Sequence, residues 1–295
     1  MLQINPKPTS YPALNEMLGI LVNEIQSALG DNFVGAYLQG SFAVGDFTET
    51  SDVDITIAIK RDITGGEIPQ FQELHKRLFQ ELPKPWGQRI ELAYAPIDIL
   101  RRWSEEPRDP PDFPRSDDWT DPSTQAPPKA YPFWYLDNGA DTLVRSEHDN
   151  TRVVRWVTRE RGIALAGPDP KTLIEPVTHK ELASEVLDML RIVDKDWAIA
   201  EKLNTRMLQT FFVTLCVRAL HTLETGTVTS KKAATEWASA ILDSKWKSLI
   251  EDSWTAWQGS RDHLSDKADP ADSERTAVFI HYVLDRAEQN PVVTS

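Results

Sequence analysis

The sequence predicts an α+β protein in two parts: a mixed sheet with helices over residues 1–167, then a helical bundle over 168–295. Three observations carry this reading. Apolar runs of strand length alternate with helical stretches as far as Gly167-Pro168. A proline-dense segment, residues 105–129, interrupts the first part without a regular pattern. Beyond Pro176, apolar residues recur at helical spacing almost without a break.

Leu14, Leu18, Leu21, Val22, Ile25 and Leu29 form the buried stripe of a helix over 11–29, ended by Gly30-Asp31-Asn32. Phe33–Leu38 and Val53–Ile59 read as strands, Gln70–Leu82 as a helix stopped by Pro83 and Pro85, and Arg89–Ala95 as a third strand. The 105–129 segment is expected to be either a disordered loop or a lid. Extended structure resumes at Tyr131–Leu136, followed by a helix over Val153–Arg161 and a short strand over Ile163–Ala166. Five helices are expected in the second part, near His179–Ala200, Thr205–Glu224, Lys231–Leu242, Lys245–Gly259 and Ala271–Glu288. Gly226 suits a helix C-terminus and Ser230 an N-cap, and the tail after Pro291 should fray.

The chemistry concentrates in Tyr37-Leu38-Gln39-Gly40-Ser41 and Ser51-Asp52-Val53-Asp54. Strand side chains alternate, so Asp52 and Asp54 point one way and Val53 the other. Paired carboxylates repel and raise each other's pKa, and no cationic residue adjoins them in sequence; a divalent cation with a taste for hard oxygen, Mg²⁺, relieves the repulsion. Gly40 lets a phosphate approach the backbone, and Ser41 offers a hydroxyl at a helix start. A third carboxylate is supplied by Glu91 in the alternating run Arg89–Tyr94; Asp98 competes, but Pro96 is expected to end the strand before it. Trp134 and Tyr135 either wall a sugar-sized substrate or belong to the core. His148, in Glu147-His148-Asp149-Asn150, is read as a structural or surface residue and not as a metal ligand.

The net charge of −13 disfavours a nucleic-acid partner, which needs a basic groove, and suits a cationic substrate. The single cysteine, Cys216, excludes an internal disulfide and a cysteine zinc site, and its apolar surroundings make it a buried hydrophobe. Met1–Pro6 lacks a basic and then apolar start, and no apolar run approaches the roughly 20 residues of a membrane span. A cytoplasmic monomer without membrane contact is expected.

Gly40-Ser41 followed by Ser51-Asp52-x-Asp54, with Glu91 beyond, resembles the signature of the polymerase-beta-like nucleotidyltransferase superfamily. Arg161–Pro168, Leu215–Arg218, Thr225-Gly226, Ser230-Lys231 and Glu236–Ala238 resemble segments of the aminoglycoside 3″/9-adenylyltransferases, so the likeness spans nearly the whole chain. It implies transfer of AMP from ATP to a hydroxyl of a small cationic acceptor, an aminoglycoside such as streptomycin or spectinomycin. Asp52 and Asp54 would hold two Mg²⁺, Gly40, Ser41, Ser51 and Lys231 would bind nucleotide, and Glu91 would act as general base or third metal ligand. Lys231 is implied to reach the nucleotide phosphates from the second domain; Trp257 stands where the family has a tyrosine. Asp196-Trp197 resembles an Asp-Trp pair of the family, with Asp194 and Glu201 nearby, so Asp196 is implied to meet the acceptor's amino groups. Two alternatives stay open: the same chemistry on another metabolite or a protein, or a weakly catalytic nucleotide-binding regulator.

Overall fold

The computed structural model describes residues 1–49, 51–104, 130–258 and 266–294. The proline-dense 105–129 segment therefore lies outside the described residues. The chain forms two compact units, Met1–Pro176 and Val177–Ser295. Residues 168–176, assigned from sequence to the second domain, belong to the first unit. Tyr37 Oη donates to the Pro168 carbonyl at 2.9 Å and Arg159 Nε to that of Ile174 at 3.0 Å.

The first unit runs α1 (Pro12–Leu29), β1 (Phe33–Leu38), α2 (Gly40–Val44), β2 (Val53–Ile59), α3 (Ile68–Glu81), β3 (Ile90–Pro96), α4 (Ile97–Leu100), β4 (Phe133–Leu136), β5 (Val144–Ser146), α5 (Arg152–Arg161) and β6 (Ile163–Ala166). The six strands form one mixed sheet in the order β5-β4-β3-β2-β1-β6. Only β2 and β3 are parallel, as expected when helix α3 carries the chain from one to the other.

Strand alternation splits the sheet into two faces. Ile55, Ile57, Ile59, Leu92 and Tyr94 pack on one face with the apolar stripes of α1 and α3. Tyr37, Ala58, Ala93, Ala95, Phe133 and Tyr135 lie on the other, with Leu100 of α4 and Ile174. The alanines keep that second face shallow. Arg155 of α5 is buried, and its guanidinium donates to the carbonyls of Ile99, Leu100 and Thr151. Those acceptors close the α4 end and satisfy a cation that would otherwise be costly to bury.

Strand β5, missed in the sequence, has only three residues and an exposed Val144. Its anchor is polar. Arg145 pairs with buried Asp62 at 2.7 Å, donates to the Pro132 carbonyl at 3.1 Å, and lies 4.2 Å from the Trp134 ring centroid. Strand β3 ends at Pro96, as expected, and Asp98 sits exposed on α4.

The second unit consists of α6 (His179–Trp197), α7 (Arg206–Thr225), α8 (Lys231–Ile241), α9 (Lys247–Gln258), α10 (Pro270–Glu288) and α11 (Pro291–Thr294). The five long helices fall where the periodicity puts them because each carries an apolar stripe and most carry a cap. Thr178 and Glu181 form a reciprocal capping box on α6, Thr205 and Ser230 cap α7 and α8, and Asp269 caps α10. Gly226 ends α7 in the left-handed region at φ 68°, which glycine adopts without strain. The segment after Asn290 does not fray at once but makes the short turn α11. Cys216 is fully buried in α7, and burial pushes its thiol up to about 12.

His75 of α3 is buried, with Nε2 2.8 Å from Tyr94 Oη, and burial depresses its pKa to about 4. The unfolded chain binds this proton below about pH 6.5 and the folded chain does not. The stability it contributes is therefore complete above that pH and lost as pH falls toward 4, with a slope on the order of 1.4 kcal/mol per pH unit. In thermal melts from pH 7 to 4, His75→Gln should flatten this decline; an unchanged slope would contradict the assignment.

Candidate active site

The site is set by the register of two parallel strands. Asp54 of β2 lies beside Glu91 of β3, so both carboxylates emerge on the shallow face. Asp52 immediately precedes β2 and accepts from Asn138 Nδ2 at 2.6 Å. The start of α2 is pressed against the same place, since Gln39 N donates to the Asp54 carbonyl at 2.9 Å. Gly40, at φ +58°, has no alternative here: a Cβ would stand 1.9 Å from Asp54 Oδ2. Phe42 anchors α2 in the core and stacks on Phe47 at 4.8 Å. Ser41 is half-buried at the start of the helix. The Ser51 hydroxyl accepts from Thr48 N at 2.9 Å and closes the turn that leads into Asp52.

Glu91 has companions that the sequence reading left out. The run Glu147–Asn150 descends from β5, and each of its residues is held. Glu147 accepts from Ala130 N at 2.9 Å, Asp149 from Gln39 Nε2 at 3.4 Å, and Asn150 Nδ2 donates to the Tyr131 carbonyl at 2.7 Å. Thr151 then caps α5. This brings His148 Nε2, on an exposed side chain as the surface reading expected, to 3.4 Å from Glu91 Oε1, a partner that the sequence did not reveal. The ring of Tyr135 of β4 lies 5.3 Å from the His148 ring, and its hydroxyl donates to Asp137 Oδ1 at 3.4 Å. Glu91, His148 and buried Asp149 offer ligand atoms all within 4.8 Å of one another, so these three could also hold a cation. The sequence signal was faint: four consecutive polar residues just before a helix-capping threonine.

The charges in this cluster are interdependent. Burial alone would raise the Glu91 pKa, but interactions with His148 and Tyr135 outweigh it and hold the carboxyl below the usual range. The pairing with Glu91 raises His148 against the opposing effect of burial. Burial raises Asp149; His148 opposes that rise, whereas Glu91 and Asp54 reinforce it.

Trp134, a candidate substrate wall, is directed elsewhere. It pairs in register with Tyr94 and so shares the helix-covered face, where its Nε1 donates to the Ile63 carbonyl at 2.9 Å. Its neighbour Tyr135 takes the site face, as alternation requires.

In the second unit Lys231 is the first residue of α8, with Ser230 Oγ accepting from Ala233 N at 3.1 Å. Its Nζ lies 4.1 Å from the Trp257 ring centroid, within cation–π range. Asp196 is exposed in the last turn of α6, and its carbonyl accepts from Lys202 Nζ at 2.6 Å. Asp194 pairs with His281, and Trp197 packs on Phe212 at 4.9 Å.

The mixed sheet presents acidic residues from neighbouring strands beside a Gly-Ser helix start, and the nucleotidyltransferase domain family matches residues 21–108. The C-terminal domain of aminoglycoside adenylyltransferases matches residues 172–286. With both matches in this order, the chain resembles the aminoglycoside 3″/9-adenylyltransferases along most of its length. An aminoglycoside (3'') (9) adenylyltransferase of Klebsiella pneumoniae is 28% identical over 127 residues, which is 42% of this chain and 44% of that protein. That alignment thus spans less than half of the relative's length. A spectinomycin 9-adenylyltransferase of Staphylococcus aureus is 25% identical over 252 residues, 82% of this chain and 84% of that protein. The fold is similar to the crystal structure of spectinomycin adenyltransferase AAD(9) from Enterococcus faecialis with ATP and spectinomycin. The TM-score is 0.58 at 12% identity, over 93% of this chain and 99% of that one.

Asp54 stands among like charges, so neutralising it should relieve the fold while disabling the site. Asp54→Asn should melt at the wild-type temperature or above it and lose nucleotidyl transfer. A clear drop in melting temperature, or near-normal turnover with Mg²⁺, would show that Asp54 serves the fold instead.

Proposed function

We propose that this chain transfers AMP from ATP to a hydroxyl of a small cationic acceptor of the aminoglycoside class, releasing pyrophosphate. The observation that carries the reading is the in-register Asp54–Glu91 pair, with Asp52 beside it and Gly40 pressed against Asp54. The all-oxygen donor set of Asp52 and Asp54 fits Mg²⁺, and two ions are expected. When bound, they supply neutralising charge for the triphosphate and its leaving group. Gly40 leaves the backbone open to a terminal phosphate, Ser41 offers a hydroxyl donor, and Ser51 shapes the turn that presents Asp52. Lys231 contributes a cation to the phosphates.

Glu91 is ionised at neutral pH and serves as general base. Its carboxylate takes the proton from the acceptor hydroxyl, the freed oxygen bonds to the α-phosphorus of ATP, and the bond from that phosphorus to the pyrophosphate oxygen breaks. Two relatives are named for this acceptor class, and the net charge of −13 favours a cationic partner over nucleic acid. Asp196 on the second unit is a candidate contact for the acceptor's amino groups. Among the described residues no helix is long and apolar enough to cross a membrane. The need for ATP and Mg²⁺ makes the cytoplasm the expected place of action.

With ATP and Mg²⁺, spectinomycin or streptomycin should be adenylylated with one pyrophosphate released per drug. If neither drug raises pyrophosphate release, the acceptor lies outside this class. Glu91→Gln should lose about 10²–10⁴-fold in turnover while binding ATP normally; weak Mg·ATP binding would instead make Glu91 a metal ligand. Lys231→Ala should weaken ATP binding by roughly 1.5–3 kcal/mol, and an unchanged calorimetric affinity would remove it from the nucleotide site.

A further inference from the structure

The 147–150 run is built more carefully than a surface loop requires. Its polar residues are tied to three separate parts of the unit: Glu147 to Ala130, Asp149 to Gln39, and Asn150 to Tyr131. Arg145 secures the preceding strand to buried Asp62. The one side chain in the run that reaches a functional carboxylate is His148, which is itself exposed. Glu91 is thus met by His148 from this anchored loop, and the His148 ring in turn lies 5.3 Å from that of Tyr135 on the sheet. Glu91 has three side-chain torsions, and a carboxylate that must meet one particular hydroxyl gains rate from having few of its rotamers open.

We propose that His148 is a positioning residue for Glu91: its Nε2–H fixes the carboxylate so that one oxygen faces the acceptor. The assignment rests on the reading of Glu91 as general base. His148 touches neither nucleotide nor acceptor in this role, so removing it should lower kcat and leave the KM for ATP unchanged. Loss of a mere surface ion pair would leave kcat unchanged as well, because exposed pairs contribute little.

The test is a double-mutant cycle read as pyrophosphate release from Mg·ATP with spectinomycin and with streptomycin. His148→Ala should lose roughly ten-fold or more in kcat, and His148→Gln, whose amide can donate from a similar place, should recover most of that loss. In the Glu91→Gln background, His148→Ala should cost nothing further, since the carboxylate it serves is gone. Wild-type turnover in His148→Ala, or losses that simply add in the double variant, would overturn the positioning role and leave the function intact. Wild-type turnover in Glu91→Gln would overturn the base assignment and the positioning role together. A second readout needs no turnover: with ¹⁵N-histidine labelling, the His148 Nε2 resonance should move in Glu91→Gln. A resonance that stays in place would refute the contact.

Discussion

The like charge of Asp54 and Glu91, fixed side by side by the parallel pairing of β2 and β3, is the constraint around which the first unit is arranged. Parallel strands cannot slip by one residue without turning every core side chain outward, so the two carboxylates cannot escape each other by a change of register. Asp52 and buried Asp149 bring further negative charge to the same end. The surroundings answer with polar partners: Asn138 for Asp52, His148 for Glu91, and Gln39 for Asp149. Protonated His148 offsets part of this negative charge, and the carboxylates of Asp52 and Asp54 remain suited to cations that arrive with a substrate.

Local backbone geometry follows from the same constraint. Gly40 is the only residue type that allows α2 to start against the Asp54 carboxylate, and the small side chains of Ala93 and Ala95 continue the shallow face behind Glu91. The opposite face carries the bulk of the apolar core, in which α1 and α3 cover the large residues of β2 and β3. The sheet therefore divides its work between its faces: one is given to burial, and the other shares a smaller apolar cluster with the charged site. Arg145 and Asp62 extend this logic to the edge. Both are nearly inaccessible, and breaking such a pair by deleting one partner costs about 3–5 kcal/mol, so the strand that delivers His148 is held firmly despite its three residues.

Much of this was legible in the sequence, for identifiable reasons. The Gly40-Ser41 turn, Asp52, Asp54 and Glu91 stand in or beside apolar runs whose alternation states which way each side chain points. The bundle helices could be placed because they announce themselves twice, by apolar stripes and by capping residues such as Thr178, Thr205 and Ser230. Trp134 and Tyr135 could not be assigned to faces because a four-residue strand does not reveal its phase; only its pairing with Tyr94 and Ala93 does. His148 was illegible because its position depends on β5, which has almost no apolar signal and is held by a salt bridge to a residue far away in the chain. Pro96, by contrast, was legible: it closes β3 before Asp98, which leaves Glu91 as the carboxylate of that strand.

The central claim is that the acidic strand ends form a metal-dependent nucleotidyl site. Crystals grown with Mn²⁺ and a non-hydrolysable ATP analogue, measured at the manganese edge, test it most directly. Anomalous peaks bridging Asp52 and Asp54, with the triphosphate running toward Gly40 and Ser41, are the predicted result. Manganese confined to the Glu91–His148–Asp149 group, or a nucleotide bound away from both aspartates, would contradict it.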